Sequence, residues 1–155
     1  MLKLKPFRQT PGFCGPASLK MVLEYFGLNK TEKELAKLSG TNPEKGTTLF
    51  GIIKAARKLE FRASHKDLAQ FTDIQKLLNK KIPVIIDWFH EDCGHYSVAV
   101  GLDTKYIYLM DPELAAIRKI DRATFKRIWF DFPGDFIKTK TDVIIRRMIV
   151  IEPTK

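Results

Sequence analysis

The 155-residue chain is 45% hydrophobic and 11% aromatic and carries a formal charge of +9, with 27 basic side chains against 18 acidic. That composition fits one globular domain over residues 1–155 and excludes a disordered chain. No apolar stretch reaches bilayer length, and MLKLKPFRQ lacks the apolar core and cleavage site of a secretion signal, so no membrane span is expected and the cytoplasm is the expected location.

The first helix is expected just after Cys14. Leu19, Val22, Leu23 and Phe26 recur at helical spacing, Pro16 suits the first turn where its missing N–H costs nothing, and Gly27 is a natural stop. Thr31 and Glu34 form a capping box leading into Leu35 and Leu38, ended by Gly40. A third helix starts at Thr47–Thr48, carries Leu49, Ile52, Ile53, Ala56 and Leu59, and stops before Phe61. Thr72 and Gln75 open a short fourth one with Leu77 and Leu78.

The texture then changes. The run from Ile82 to Trp88 is short and β-branched, a strand with Pro83 at its start. Tyr96–Val100 and Tyr106–Met110 read as two strands joined by a turn around Gly101–Thr104, and Ile117–Ile120 as a further one. A helix over Arg122–Trp129, capped by Asp121, precedes a last strand at Val143–Ile151. Helices first and a mostly antiparallel sheet second make an α+β domain.

Cys14 is the residue that asks for chemistry. A thiol attacks as thiolate, and a helix N-terminus favours an anion through its partial positive charge and unpaired N–H groups. An imidazole partner takes the thiol proton and later gives it to a leaving group, and a third group orients that imidazole. His95 follows Gly94 at the start of the strand YSVAV, and Asp111 ends the strand YIYLM. A tight hairpin about Gly101–Thr104 sets His95 level with Asp111 across the pair. The Cys14 N–H is one donor for an oxyanion, and Gln9, five residues upstream across the Pro11-Gly12 bend, offers an amide as another.

Other readings of the same residues are blander. Cys14 alone would be a small buried hydrophobe, Asp111 a turn cap before Pro112, and Gln9 a surface residue of an N-terminal arm. Two cysteines in a reducing compartment are read as free thiols, with Cys93 an incidental one in the loop beside His95. No second ligand pair sits at zinc-like spacing beside Asp92, Cys93 and His95, so no metal or cofactor is expected. His65 and His90 have no partner pattern and are assigned to the surface or to loops. Glu91 and Asp92 solvate a loop or select a basic substrate residue. Trp88, Phe89, Trp129 and Phe130 are expected in the core. The basic residues are dispersed along helix faces without a nucleic-acid motif, so the charge is read as solubility rather than nucleic-acid binding.

Gln9, then Cys14-Gly15-Pro16-Ala17, then Gly94-His95-Tyr96-Ser97-Val98, then Met110-Asp111-Pro112 resemble, in order, the bacteriocin-processing, double-glycine-leader peptidases. The resemblance implies a papain-like fold, with Cys14 as nucleophile, His95 as acid and base, Asp111 as orienting group and Gln9 as oxyanion donor. It also implies a peptide or protein substrate, in the family a leader peptide, and an ABC exporter as partner. Exporter-fused members usually carry an acidic or amide residue before the cysteine, where Phe13 stands here, and CGPAS is closer to stand-alone relatives. The reading is a cysteine peptidase that hydrolyses a peptide bond without a cofactor. A catalytically idle peptide-binding module and an acyltransferase on the same machinery are the alternatives, and the oligomeric state is left open.

Overall fold

The computed structural model describes residues 1–154. Its helical half forms where the apolar spacing puts it: α1 (Cys14–Tyr25), α2 (Glu32–Ser39) and α3 (Leu49–Lys58). Thr31 caps α2 with both halves of the capping box in place, and Gly40 closes it in the left-handed conformation at φ 65°. Thr48 caps α3 by accepting from the Gly51 N–H. Along α1, Leu19, Met21, Val22 and Leu23 are fully buried. Truncating one such leucine to alanine costs about 2–5 kcal/mol in a typical core, so this face alone fixes where α1 lies.

Strand β1 (Phe61–Lys66) is the element the sequence pattern does not announce. Only Ala63 is buried along it, so no apolar alternation marks it, and it exists by pairing with the last strand. α4 (Phe71–Asn79) follows, then β2 (Val84–His90), β3 (Cys93–Leu102), β4 (Tyr106–Asp111) and β5 (Ala116–Asp121). α5 (Arg122–Ile128) is capped by Asp121, whose carboxylate accepts from the Thr124 N–H. β6 (Phe130–Asp131) and β7 (Ile144–Ile145) make a two-stranded ribbon, and β8 (Arg147–Pro153) closes the chain. The expected final strand therefore breaks at Arg146, which takes φ 48° and splits it into β7 and β8.

The main sheet has six strands in the order β1-β8-β2-β3-β4-β5, every neighbouring pair antiparallel. α1, α2 and α3 pack on one face through Leu19, Ile52, Ile85 and Val98; α4 and α5 cover the other through Ile74, Phe125, Ile86 and Trp88. β2 is thus buried on both faces, which is why its sequence is an unbroken apolar run. Among the described residues no helix is long and apolar enough to cross a membrane.

Candidate active site

Cys14 is the first residue of α1, half-buried against the helical core. Phe13 precedes it as an N-cap without a side-chain cap, and the first helical bond runs from the Ala17 N–H to the Phe13 carbonyl at 3.0 Å. The opening amides of the helix, Cys14 and Gly15 among them, have no intrahelical acceptor, and Pro16 has no N–H to offer. Gly15 cannot be larger: a Cβ there would come 2.5 Å from Thr47 Oγ1. Thr47 in turn accepts from the Tyr96 hydroxyl through its carbonyl, at 2.9 Å, so the start of α1 is wedged against a loop that β3 holds.

His95 and Asp111 meet as the spacing predicts, but by another register. β3 and β4 pair Val98 with Met110 and Ala99 with Leu109, then shift at a bulge between Ala99 and Gly101. The turn lies at Asp103–Lys105, where the Asp103 carboxylate accepts the N–H groups of Lys105 and Tyr106. One further step along the ladder brings Asp111 opposite Ser97, so His95 is its diagonal neighbour two residues on, not its direct partner. Both side chains share a face, and their length closes the diagonal. His95 Nε2 stands 2.7 Å from Asp111 Oδ1.

The Cys14 side chain is near enough to the ring to raise its pKa, and since Nε2 faces Asp111, Nδ1 is the nitrogen left for the thiol. His95 is 5% exposed and Asp111 is fully buried. Burial pulls the ring toward neutrality, yet the hydrogen bond to Asp111, the nearby Cys14 side chain and the charges of both outweigh it and lift its pKa to about 9. Burial likewise works against the Asp111 carboxylate. The His95 bond and charge, the Glu113 N–H and Arg118 overcome it and hold that carboxyl at about 2.

The arm before α1 is stitched to the far end of β4. Arg8 donates to the Glu113 and Leu114 carbonyls, and the Gln9 backbone N–H donates to Pro112 O at 2.9 Å. Thr10 is held by Glu32 through both its N–H and its hydroxyl. These bonds draw residues 8–14 alongside Asp111–Leu114 and so bring the thiol to the histidine. The Gln9 side chain is weakly engaged: Nε2 reaches Thr10 O at 3.4 Å, and Oε1 is buried without a partner.

Several residues beside the site were not among the expected ones. Arg118 on β5 donates from Nε to Asp111 Oδ2 at 2.7 Å. His90, expected at the surface or in a loop, ends β2 with its ring 5.0 Å from Trp88 and 5.7 Å from His95, its Nε2 3.5 Å from Glu113. It is a neighbour of the site because β2 and β3 pair His90 with Cys93. Cys93 itself is the exposed first residue of β3 rather than a loop residue, and burial and the Asp92 charge raise its pKa. Phe89 and Phe130 are half-buried, stacked at 5.1 Å and 10°, where Trp88 and Trp129 are fully in the core. Asp87 is 2% exposed; burial and the neighbouring Asp131 carboxylate raise its pKa well above the usual range, and Oδ1 has no partner.

The model of the Peptidase C39 family matches residues 8–132. An uncharacterized protein of Methanothermobacter thermautotrophicus is 37% identical over 116 residues, 75% of this chain and 75% of that protein. The pediocin PA-1 transport/processing ATP-binding protein PedD of Pediococcus acidilactici is 28% identical over 146 residues, 92% of this chain but only 18% of its own length. Among solved structures, the peptidase domain of Streptococcus ComA, a bifunctional ABC transporter, superposes with a TM-score of 0.74 at 27% identity, over 99% of this chain and 100% of that one. A double glycine motif protease from an AMS/PCAT transporter, solved in complex with its leader peptide, gives 0.73 at 26% identity, over 98% and 93%.

Proposed function

The chain belongs to the Peptidase C39 family and is a papain-like cysteine peptidase, and we propose that Cys14 is its nucleophile, His95 its acid and base, Asp111 the group that orients His95, and Gln9 with the Cys14 N–H its oxyanion donors. The observation that carries this reading is one ring under two influences: His95 is bonded to Asp111 through Nε2, and the Cys14 side chain acts on the same ring and raises its pKa.

The reaction starts from the Cys14 thiolate, its proton taken up by His95, whose imidazolium donates from Nε2 to Asp111 and keeps its Nδ1 proton for the leaving group. Sγ attacks the scissile carbonyl carbon, and the carbonyl electron pair moves onto oxygen. The helix-terminal Cys14 N–H and the Gln9 amide receive that charge; the slack in the Gln9 side chain leaves Nε2 free to turn toward it. His95 gives its Nδ1 proton to the amine as the C–N bond breaks, leaving a thioester on Cys14. Water, deprotonated by the neutral ring, then hydrolyses the thioester and restores the ion pair.

The substrate proposed is a peptide cleaved after a double glycine, with an ABC exporter as the partner that removes the product; support comes from the related double glycine motif protease solved with its leader peptide and from the related transport/processing ATP-binding protein. The whole of residues 1–155 acts as one domain in this scheme. A synthetic leader peptide carrying Gly-Gly at its centre, incubated with the protein and read by mass spectrometry, is expected to yield one cut after the second glycine, absent in Cys14→Ala. Cleavage that persists in Cys14→Ala would overturn the assignment.

A further inference from the structure

Asp111 accepts more than the histidine. Oδ1 receives His95 Nε2 at 2.7 Å and the Glu113 N–H at 2.9 Å, while Oδ2 receives Arg118 Nε at 2.7 Å. Arg118 comes from β5, where Leu109 faces Arg118 and Asp111 faces Ala116, so it too reaches Asp111 along the diagonal. Residues on three adjacent strands thus converge on one face: His95 from β3, Asp111 from β4, Arg118 from β5. The guanidinium also lies 5.8 Å above the Trp88 ring, whose edge abuts His95 at a 5.7 Å centroid separation. Trp88 is pinned in turn by its Nε1–H bond to Ser97 Oγ at 3.1 Å.

We propose that Arg118 is a positioning residue of the catalytic group: it fixes the plane of the Asp111 carboxylate and, as a counter-charge on Oδ2, limits how tightly His95 holds its proton. The inference rests on the roles proposed above for His95 and Asp111. Arg118 is only one of three groups that favour the Asp111 carboxylate, after His95 and the Glu113 N–H. Its effect also falls on the histidine. A lone buried carboxylate 2.7 Å from an imidazolium stabilises it fully, whereas one shared with a guanidinium does so less. A proton held less tightly passes more readily to a leaving amine. The other charged groups facing this cluster are Glu113, 3.9 Å from Arg118 Nη2, and His90, which faces Glu113; on the opposite side of the ring lies Cys14.

The test is the titration of the His95 ring by NMR, with the 3 histidines assigned by substitution, alongside the kinetics of Gly-Gly peptide cleavage. Arg118→Met is expected to raise the His95 midpoint by about one pH unit and to lower kcat about tenfold with KM unchanged. Arg118→Lys is expected to return the midpoint to the wild-type value, because the charge is back. It should recover kcat only in part, because an ammonium cannot reproduce the planar Nε contact. A His95 midpoint that is the same in wild type and Arg118→Met, or lower in Arg118→Met, overturns the inference even if that variant is less active. Asp111→Asn separates the two layers. There the midpoint must fall; if it does not, the role given to Asp111 is wrong and Arg118 goes with it. If it falls while Arg118→Met titrates like wild type, only the Arg118 inference is lost.

Discussion

Replacing His95 by glutamine should remove a defined, pH-dependent part of the protein's stability. The ring titrates at about 9 in the folded protein against its ordinary 6.5. A difference of that size corresponds to about 3 kcal/mol of preferential stabilisation of the imidazolium by the folded state. The depressed Asp111 value describes the same ion pair and is not added to it. Because the folded value lies above the unfolded one, the stabilisation is fully present below pH 6.5 and is lost as pH rises through 9. Urea unfolding of wild type and His95→Gln from pH 5.5 to 10 measures it. The free-energy gap between them should be widest at the acid end and shrink by about 3 kcal/mol on crossing pH 9. Groups that do not touch the ring titrate alike in both proteins and cancel in the difference, and carrying Cys14→Ala in both removes the thiol that the ring is coupled to. A gap that stays constant across this range would mean that His95 is not held as an imidazolium, and the ion-pair argument would fail.

The buried acid pair predicts the opposite slope. Asp87 keeps its proton in the folded protein where the unfolded chain has lost it, so it lowers stability as pH rises above the ordinary carboxylate range. Asp87→Asn should therefore stabilise the protein more at pH 8 than at pH 4, by about 1 kcal/mol, seen as a higher Tm; equal or lower Tm values at both pH values would refute it. Gly94 is fixed by a close approach, since a Cβ there would collide with the Asp131 carboxylate. Gly94→Ala should cost about 1–3 kcal/mol, and the loss should shrink when Asp131→Ala is combined with it. Independent, additive losses would argue that the crowding is not the cause.

Much of this was legible in the chain because the signals are local. The Thr31–Glu34 capping box, Gly40 and the apolar spacing after Cys14 each depend on residues within a turn or two, and they fold as read. Cys14, His95 and Asp111 could be assembled from short motifs because a helix start and two strand ends each place one group. The details that failed are non-local. The turn lies further along the chain than Gly101–Thr104, and a bulge near Val100 takes back one step of that offset, which leaves His95 and Asp111 on one face across a two-residue diagonal. β1 has no pattern of its own and exists by pairing with β8. Arg118, His90 and Asp131 carry no motif, and strand order across β2–β5 and the β6 ribbon brings them to the site. An alternation reading of AIRKID does place Arg118 and Ala116 on one face, which is the one signal that pointed toward Asp111.

Which of the 2 cysteines reacts first tests most directly whether Cys14 is the activated thiol. Cys93 is exposed and Cys14 half-buried, so access alone favours Cys93. The chemistry favours Cys14, with a helix N-terminus and an imidazolium beside it, while Cys93, though exposed as a residue, has its pKa raised by partial desolvation of the sulfur and by the Asp92 charge. Limited iodoacetamide at pH 6, followed by peptide mass spectrometry, is predicted to label Cys14 well ahead of Cys93, with that preference lost in His95→Ala. Labelling of Cys93 first, or of Cys14 equally in wild type and His95→Ala, would contradict the assignment of Cys14 as an activated thiol.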